Sequence, residues 1–225
     1  MGFQYQAPAD RQVYGFQFRV PAPKDMGSEI VVPGCDAVFV RRHPDSEIVD
    51  GQLPKRQALL GRFGISTPWP TPEDEETKYW GIARSENVVG SKLFGKLWES
   101  GQHCIVPIES FNKTASNGRW PVKMQVSAIK DAILGAAGFY SEVQLRNGNT
   151  LFRFVLLTID ADGYTTMRRF KRDDGENRMP LLLPKSKYDA WLDMPTERSM
   201  DFIEKCPTVD LRMVSISKAR ATQRL

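Results

Sequence analysis

The side chains that offer chemistry in this 225-residue chain are mainly cations and aromatics, not a nucleophile set beside its base. The densest group is Met167–Arg172, MRRFKR, in which Arg168, Arg169, Lys171 and Arg172 surround Phe170. A guanidinium is planar, permanently charged and able to donate two parallel hydrogen bonds, which matches the oxygens of a phosphate. An aromatic ring among such cations gives a nucleobase a surface to stack on. The same run also reads as a solvated charged face, and Asp173 and Asp174 dilute it. Trp69, set between Pro68 and Pro70, reads as a loop side chain at the surface. Stacking one base on such a ring is worth about 1–3 kcal/mol; core packing is its alternative. The formal net charge of +4 permits a polyanionic partner without demanding one.

Thiols and imidazoles offer less. Cys35, Cys104 and Cys206 are odd in number and widely spaced, and His43 and His103 are the two histidines. Neither a disulfide framework nor a zinc site follows, so no metal and no cofactor is expected. Cys104, inside the strand-like HCIVP, reads as a packed thiol, and Cys35, beside Pro33-Gly34, has no base to activate it. The longest apolar stretches, such as Ala136–Tyr140, are far too short to cross a bilayer. The beginning MGFQYQAPADR has no apolar signal region, and the expected location is the cytoplasm.

Six motifs occur in a telling order: FGISTPW at Phe63–Trp69, IARSE at Ile82–Glu86, HCIVPIESFNK at His103–Lys113, LLTIDA at Leu156–Ala161, ENRMPLLLP at Glu176–Pro184 and DAWLD at Asp189–Asp193. In this the chain resembles the SOS-response-associated peptidase (SRAP) family, whose members carry W-G-L-x-P-x-W, N-A-R-A-E, R-C-L-V-P-A-D-G-F-Y-E-W, T-x-x-A and H-x-R-M-P-x-I-L in turn. The resemblance implies a compact α+β domain on a distorted, partly closed sheet, with a concave basic surface that holds single-stranded DNA. It also implies chemistry begun by a cysteine exposed once the initiator methionine is removed, whose thiol and α-amine capture the aldehyde of an abasic site. An asparagine, a glutamate and a histidine assist.

This sequence departs from the pattern at each of those places. Gly2 stands where the cysteine would be, Ile82 replaces the asparagine and Lys113 falls at the glutamate. The histidine position corresponds to Glu176 when counted back from Arg178, or to Lys171 when counted forward from Met167. Arg84 and Arg178 are retained where the family holds the DNA backbone; the alternative for each is a nearby carboxylate, Glu86 or Glu109 in the case of Arg84. Glu86 itself reads as one half of an ion pair that shapes the groove, Thr158 as a strand threonine near the site, and Phe63 as core.

Three readings follow. The first is a monomer that binds single-stranded or abasic DNA through Arg84, Arg178, Trp69, Arg168 and Arg169, without thiol crosslinking. The second keeps amine chemistry: an α-amine on Gly2, with a pKa of about 7.7–8.0, or the amine of Lys113, forms a reversible Schiff base. The third is a scaffold turned to a protein partner.

The elements that must position these residues read as α+β, with a mostly antiparallel sheet flanked by helices in a single domain over residues 1–225. Glu29–Arg41 reads as two β segments around Pro33-Gly34, and Ile105–Phe111, Val122–Val126, Ala136–Val143 and Leu151–Ile159 as four strands between Asn- and Gly-rich turns. Val88–Glu99 has Val89, Leu93, Leu97 and Trp98 at helical spacing. Ser186–Asp193 and Ser199–Lys205 read as short helices, Val209–Ile216 as a last strand, and His43–Lys55 and Thr67–Thr77 as surface connections.

Overall fold

The computed structural model describes residues 3–45, 54–66, 79–100, 102–116, 121–129, 132–168 and 177–216. Gly2, Trp69, Arg169, Lys171 and Glu176 lie outside them. The chain begins with β1 (Tyr5–Gln6), α1 (Arg11–Phe18), β2 (Ile30–Val31), β3 (Asp36–Arg42), β4 (Arg56–Phe63), β5 (Ile65–Ser66), β6 (Tyr79–Trp80) and β7 (Ile82–Arg84). It continues through α2 (Gly95–Glu99), β8 (His103–Ile108), β9 (Ser110–Ser116), β10 (Pro121–Ala128), β11 (Leu134–Gln144) and β12 (Thr150–Asp160). The last elements are β13 (Arg178–Pro180), β14 (Leu182–Leu183), α3 (Tyr188–Leu192), α4 (Ser199–Glu204) and β15 (Leu211–Ser215).

Two sheets dominate this α+β fold. One runs β15-β10-β9-β1-β2, and the other runs β13-β12-β4-β3-β8-β11-β14 with β7 on β12. A further pairing of β12 with β11 bends the second sheet into a ring of β12, β4, β3, β8 and β11. Its seams are narrow: β4 meets β12 through Arg62↔Arg153 and Phe63↔Phe154, and β3 meets β8 through Val40↔Ile105. The pairings are antiparallel except where β12 runs parallel to β4 and to β7.

Period-two alternation sends the two faces of each ring strand to different cores. From β12, Phe154 and Leu156 join Phe39, Cys104 and Val106 against Tyr5, Phe111 and Val126 of the five-stranded sheet. Val155 and Leu157 join Val38, Ile105 and Phe139 against Tyr14, Phe18, Trp98, Tyr188 and Trp191 of the helices. Phe63 and Cys104 are fully buried, as their settings predict.

The strands expected from alternation form, as do the two C-terminal helices. The continuous helix over Val88–Glu99 does not: the segment turns at Val88–Ser91 and is helical over Gly95–Glu99 alone, with Val89 outward at 55% exposure. The Ser91 hydroxyl explains the break, because it accepts from the backbone N–H groups of Leu93 and Phe94 and starts the helix afresh. No helix among the described residues is long and apolar enough to cross a membrane.

Candidate functional site

The retained motifs meet at one edge of the ring, around Thr158. Parallel pairing sets Thr158 of β12 beside Arg84 of β7, and antiparallel pairing sets Asp160 beside Arg178 of β13. Thr158 and Asp160 are two residues apart and therefore share a face, so the register puts both arginines on that face. The hydroxyl of Thr158, 3% exposed, donates to the carbonyl of Ala83 and ties β7 down at 3.2 Å.

Arg178 is held by several partners. Its two terminal nitrogens each lie 2.8 Å from an oxygen of Glu86, on the 3-10 turn Ser85–Asn87 that follows β7. One of them also donates to the Thr158 carbonyl at 2.6 Å. Its Nε is buried with no hydrogen-bond partner. The guanidinium holds the Glu86 carboxyl below its usual range. Glu86 is thus one half of an ion pair, with Arg178 as the other half. Arg84 is exposed.

Lys113 reaches this place from the other sheet. Its Nζ donates to the side-chain oxygen of Asn177 at 3.0 Å and to the backbone carbonyl of Arg178 at 2.5 Å, bridging β9 to the start of β13. Asn177, 1% exposed, is the functional candidate that sequence reasoning missed. Its side-chain nitrogen donates to the Met167 carbonyl at 2.8 Å and to the Asp162 carboxylate at 3.2 Å, and its backbone carbonyl accepts from the Ala161 N–H at 2.7 Å. The side chain therefore links the MRRFKR and NRMP motifs to β9, and the backbone of the same residue adds LLTIDA. Its place immediately before RMP was the available signal.

The other expected residues are more scattered. Arg168 is exposed, with Nε 2.9 Å from the Asp162 carbonyl. Together with Asp160 and Asp162, Glu86 tempers the local positive charge. Phe3 packs on Phe111 with ring centroids 6.0 Å apart, and the pairing of Tyr5 with Phe111 runs the start of β1 alongside β9 toward Lys113. Cys104 is sealed in the core, where burial pushes its thiol well up, and Cys35 is half-buried. Among the described residues no group of three or more His, Cys, Asp or Glu stands ready to hold a metal ion. A small cleft of about 190 Å³ between Lys187, Arg198, Lys205 and Cys206 shares no residue with the site. An extended ligand is gripped by an open face, so the absence of these motifs from that cleft does not count against them.

No curated protein matches the chain. Among solved structures, a protein from Bordetella bronchiseptica superposes with a TM-score of 0.78 at 26% identity, over 95% of this chain and 99% of that one. A protein from Bacteroides thetaiotaomicron gives 0.65 at 14% identity over 96% and 92%. A phage-related protein from Bordetella bronchiseptica gives 0.60 at 15% over 97% and 95%; at such identities these last two show the fold alone. The family model for SOS response associated peptidase (SRAP) matches residues 17–221, and the chain belongs to that family.

Proposed function

We propose that this chain binds single-stranded DNA along the edge where the two sheets meet, on an SRAP scaffold that does without thiol crosslinking. The observation that carries the reading is the convergence of Arg84, Arg178 and Lys113 from three strands on the surroundings of Thr158. Arg84 contributes a surface cation for a phosphate. Glu86 offers the Arg178 fork two oxygens much as a phosphate would, so a DNA backbone reaching Arg178 has to displace that carboxylate. The loss of crosslinking rests on Gly2, which follows Met1 in place of a thiol, and on Cys104, whose thiol is fully buried.

Fluorescence anisotropy tests the reading. Single-stranded oligonucleotides are expected to bind more tightly than duplex, with affinity falling as salt rises. Arg84→Ala lowers the slope of log K against log salt by about 0.7, the value for one phosphate contact on a single strand. Arg178→Ala weakens binding to all sequences alike, and Glu86→Gln, which removes the competing carboxylate, tightens it. No single-strand binding at low salt would remove the DNA reading in favour of a protein-binding scaffold.

The position of Lys113 supports a second reading. Its amine stands in this site at the place of the family's glutamate. An amine adds to the ring-opened aldehyde of an abasic site and water leaves, giving an imine. Without a neighbouring thiol no stable ring closes on it, so the adduct stays reversible. With abasic single-stranded DNA, an adduct on denaturing gels is expected when borohydride reduces the imine, and it is lost in Lys113→Met. An adduct that survives without reductant contradicts the loss of crosslinking, and none with reductant ends the amine reading.

A further inference from the structure

We infer that Trp80 and Ile82 form a base-stacking platform in line with Arg84, so that the strand reads the presence of bases as well as phosphates. The inference rests on the DNA reading above. From Trp80 to Glu86 exposure alternates without a break: Trp80, Ile82, Arg84 and Glu86 point outward, and Gly81, Ala83 and Ser85 are buried. A strand with one covered face ordinarily turns polar residues to the other. Here two of the outward positions hold large apolar side chains, Trp80 at 40% and Ile82 at 39% exposure.

The backbone beneath them is fixed. A Cβ on Gly81 would lie 2.6 Å from Cζ of Phe63, so a side chain there would have to displace a fully buried ring. That ring in turn stacks on Phe154 at 5.3 Å and meets the edge of Tyr5 at 5.5 Å. Trp80 is paired with Ile65 in the short β5–β6 ribbon. The indole thus projects from a rigid base, so little ordering remains to be done on binding. Ile82 stands where the family has its asparagine: the substitution removes a polar group and extends the apolar surface between the indole and Arg84. At 3.3 Å per residue the row from Trp80 to Arg84 is about 13 Å long, with a ring at one end and a guanidinium at the other. An apolar π-face in series with cations fits a partner that alternates flat bases with phosphates, which is single-stranded nucleic acid.

The test uses the full chain and two oligomers of equal length: an ordinary single strand and a base-free strand of tetrahydrofuran phosphates, which has no aldehyde for an amine to capture. The unmodified protein is expected to bind the base-bearing strand about ten-fold more tightly. Trp80→Ala should lose about ten-fold on that strand and nothing on the base-free one, with the salt slope unchanged, while Trp80→Phe retains most of the affinity. Equal affinity of the unmodified protein for the two strands overturns the platform. So does a loss in Trp80→Ala that is the same on both, since this is what mere misfolding gives. The comparison on the unmodified protein decides the matter even if Trp80→Ala fails to fold. Failure to bind either strand sinks the DNA reading itself, an outcome distinct from equal binding to both.

Discussion

Asn177→Ala is expected to lower the unfolding free energy by about 2–4 kcal/mol and to weaken single-strand binding at the same time. The amide of Asn177 is 1% exposed and serves three partners: the Met167 carbonyl, the Asp162 carboxylate and the Lys113 amine. Truncation leaves the Met167 carbonyl without this donor and deprives a charged lysine of one acceptor. Each buried polar group left unpaired costs about 1–3 kcal/mol, more when it is charged. The loss of binding follows from position, because Lys113 also holds the Arg178 carbonyl and so sets where the guanidinium stands. Urea unfolding reads the first effect and anisotropy the second. A variant with an unchanged urea midpoint would show that water replaces the amide. A destabilised variant with full affinity would show that Asn177 shapes the fold without shaping the interface.

That such a residue escaped sequence reasoning has a physical reason. An asparagine is legible where it caps a helix or takes a turn, because its hydrogen bonds are then local. Asn177 reaches Lys113, 64 positions away, and no short-range pattern records a contact of that kind. The same limit applies to Arg178: the motif marked it as important, and the pairing that occupies it was visible only when the turn carrying Glu86 came against it. What the sequence did carry was local. β8, β11 and β12 are legible as short apolar runs because both faces of each are buried, β10 by its alternation, and the α+β class followed from them.

Helices were less readable. Asp10 caps α1 by accepting from the N–H groups of Gln12 and Val13, and Tyr14 and Phe18 go to the core. Yet Gly15 lies inside it and Phe16 faces out at 87% exposure, which blurs the apolar stripe. In Val88–Glu99 the error ran the other way. Val89, Leu93, Leu97 and Trp98 have helical spacing, but a backbone folded back on itself at Ser91 keeps only the last of those turns. A Cβ on Gly95 would come 3.0 Å from the Val89 carbonyl, a closeness that reflects this doubling back. Family resemblance reaches further than periodicity here, because it singles out Arg84, Lys113 and Arg178, which lie far apart in the chain and stand on β7, β9 and β13.

Stability is expected to fall by about 3 kcal/mol as pH drops from 6.5 to about 4, and His103→Phe should flatten most of that slope. His103 is 3% exposed, with its ring 4.3 Å from that of Trp191 and 5.4 Å from that of Trp98. Its Nε2 lies 3.1 Å from the Ser199 hydroxyl. Burial pushes its pKa from the ordinary value of 6.5 down to about 4, and the backbone of Met194 opposes this only in part. In the unfolded chain the imidazole titrates near its ordinary value, so between those two limits the unfolded state binds more protons than the folded one. The neutral histidine's contribution is therefore complete above about pH 6.5, declines as pH falls, and is gone below about 4. At 1.36 kcal/mol per unit the interval of about 2.5 units gives the stated magnitude. Ordinary carboxylates titrate mostly below pH 5, and Glu86, held low by Arg178, lower still, so the window from pH 5 to 7 isolates the histidine. Urea midpoints in the unmodified chain should hold from pH 7 to about 6.5 and then fall toward pH 5, and should stay nearly level throughout in His103→Phe. Parallel slopes in the two proteins would place the proton elsewhere, and an offset without a change of slope would mean that the ring contributes packing against Trp98 and Trp191 alone.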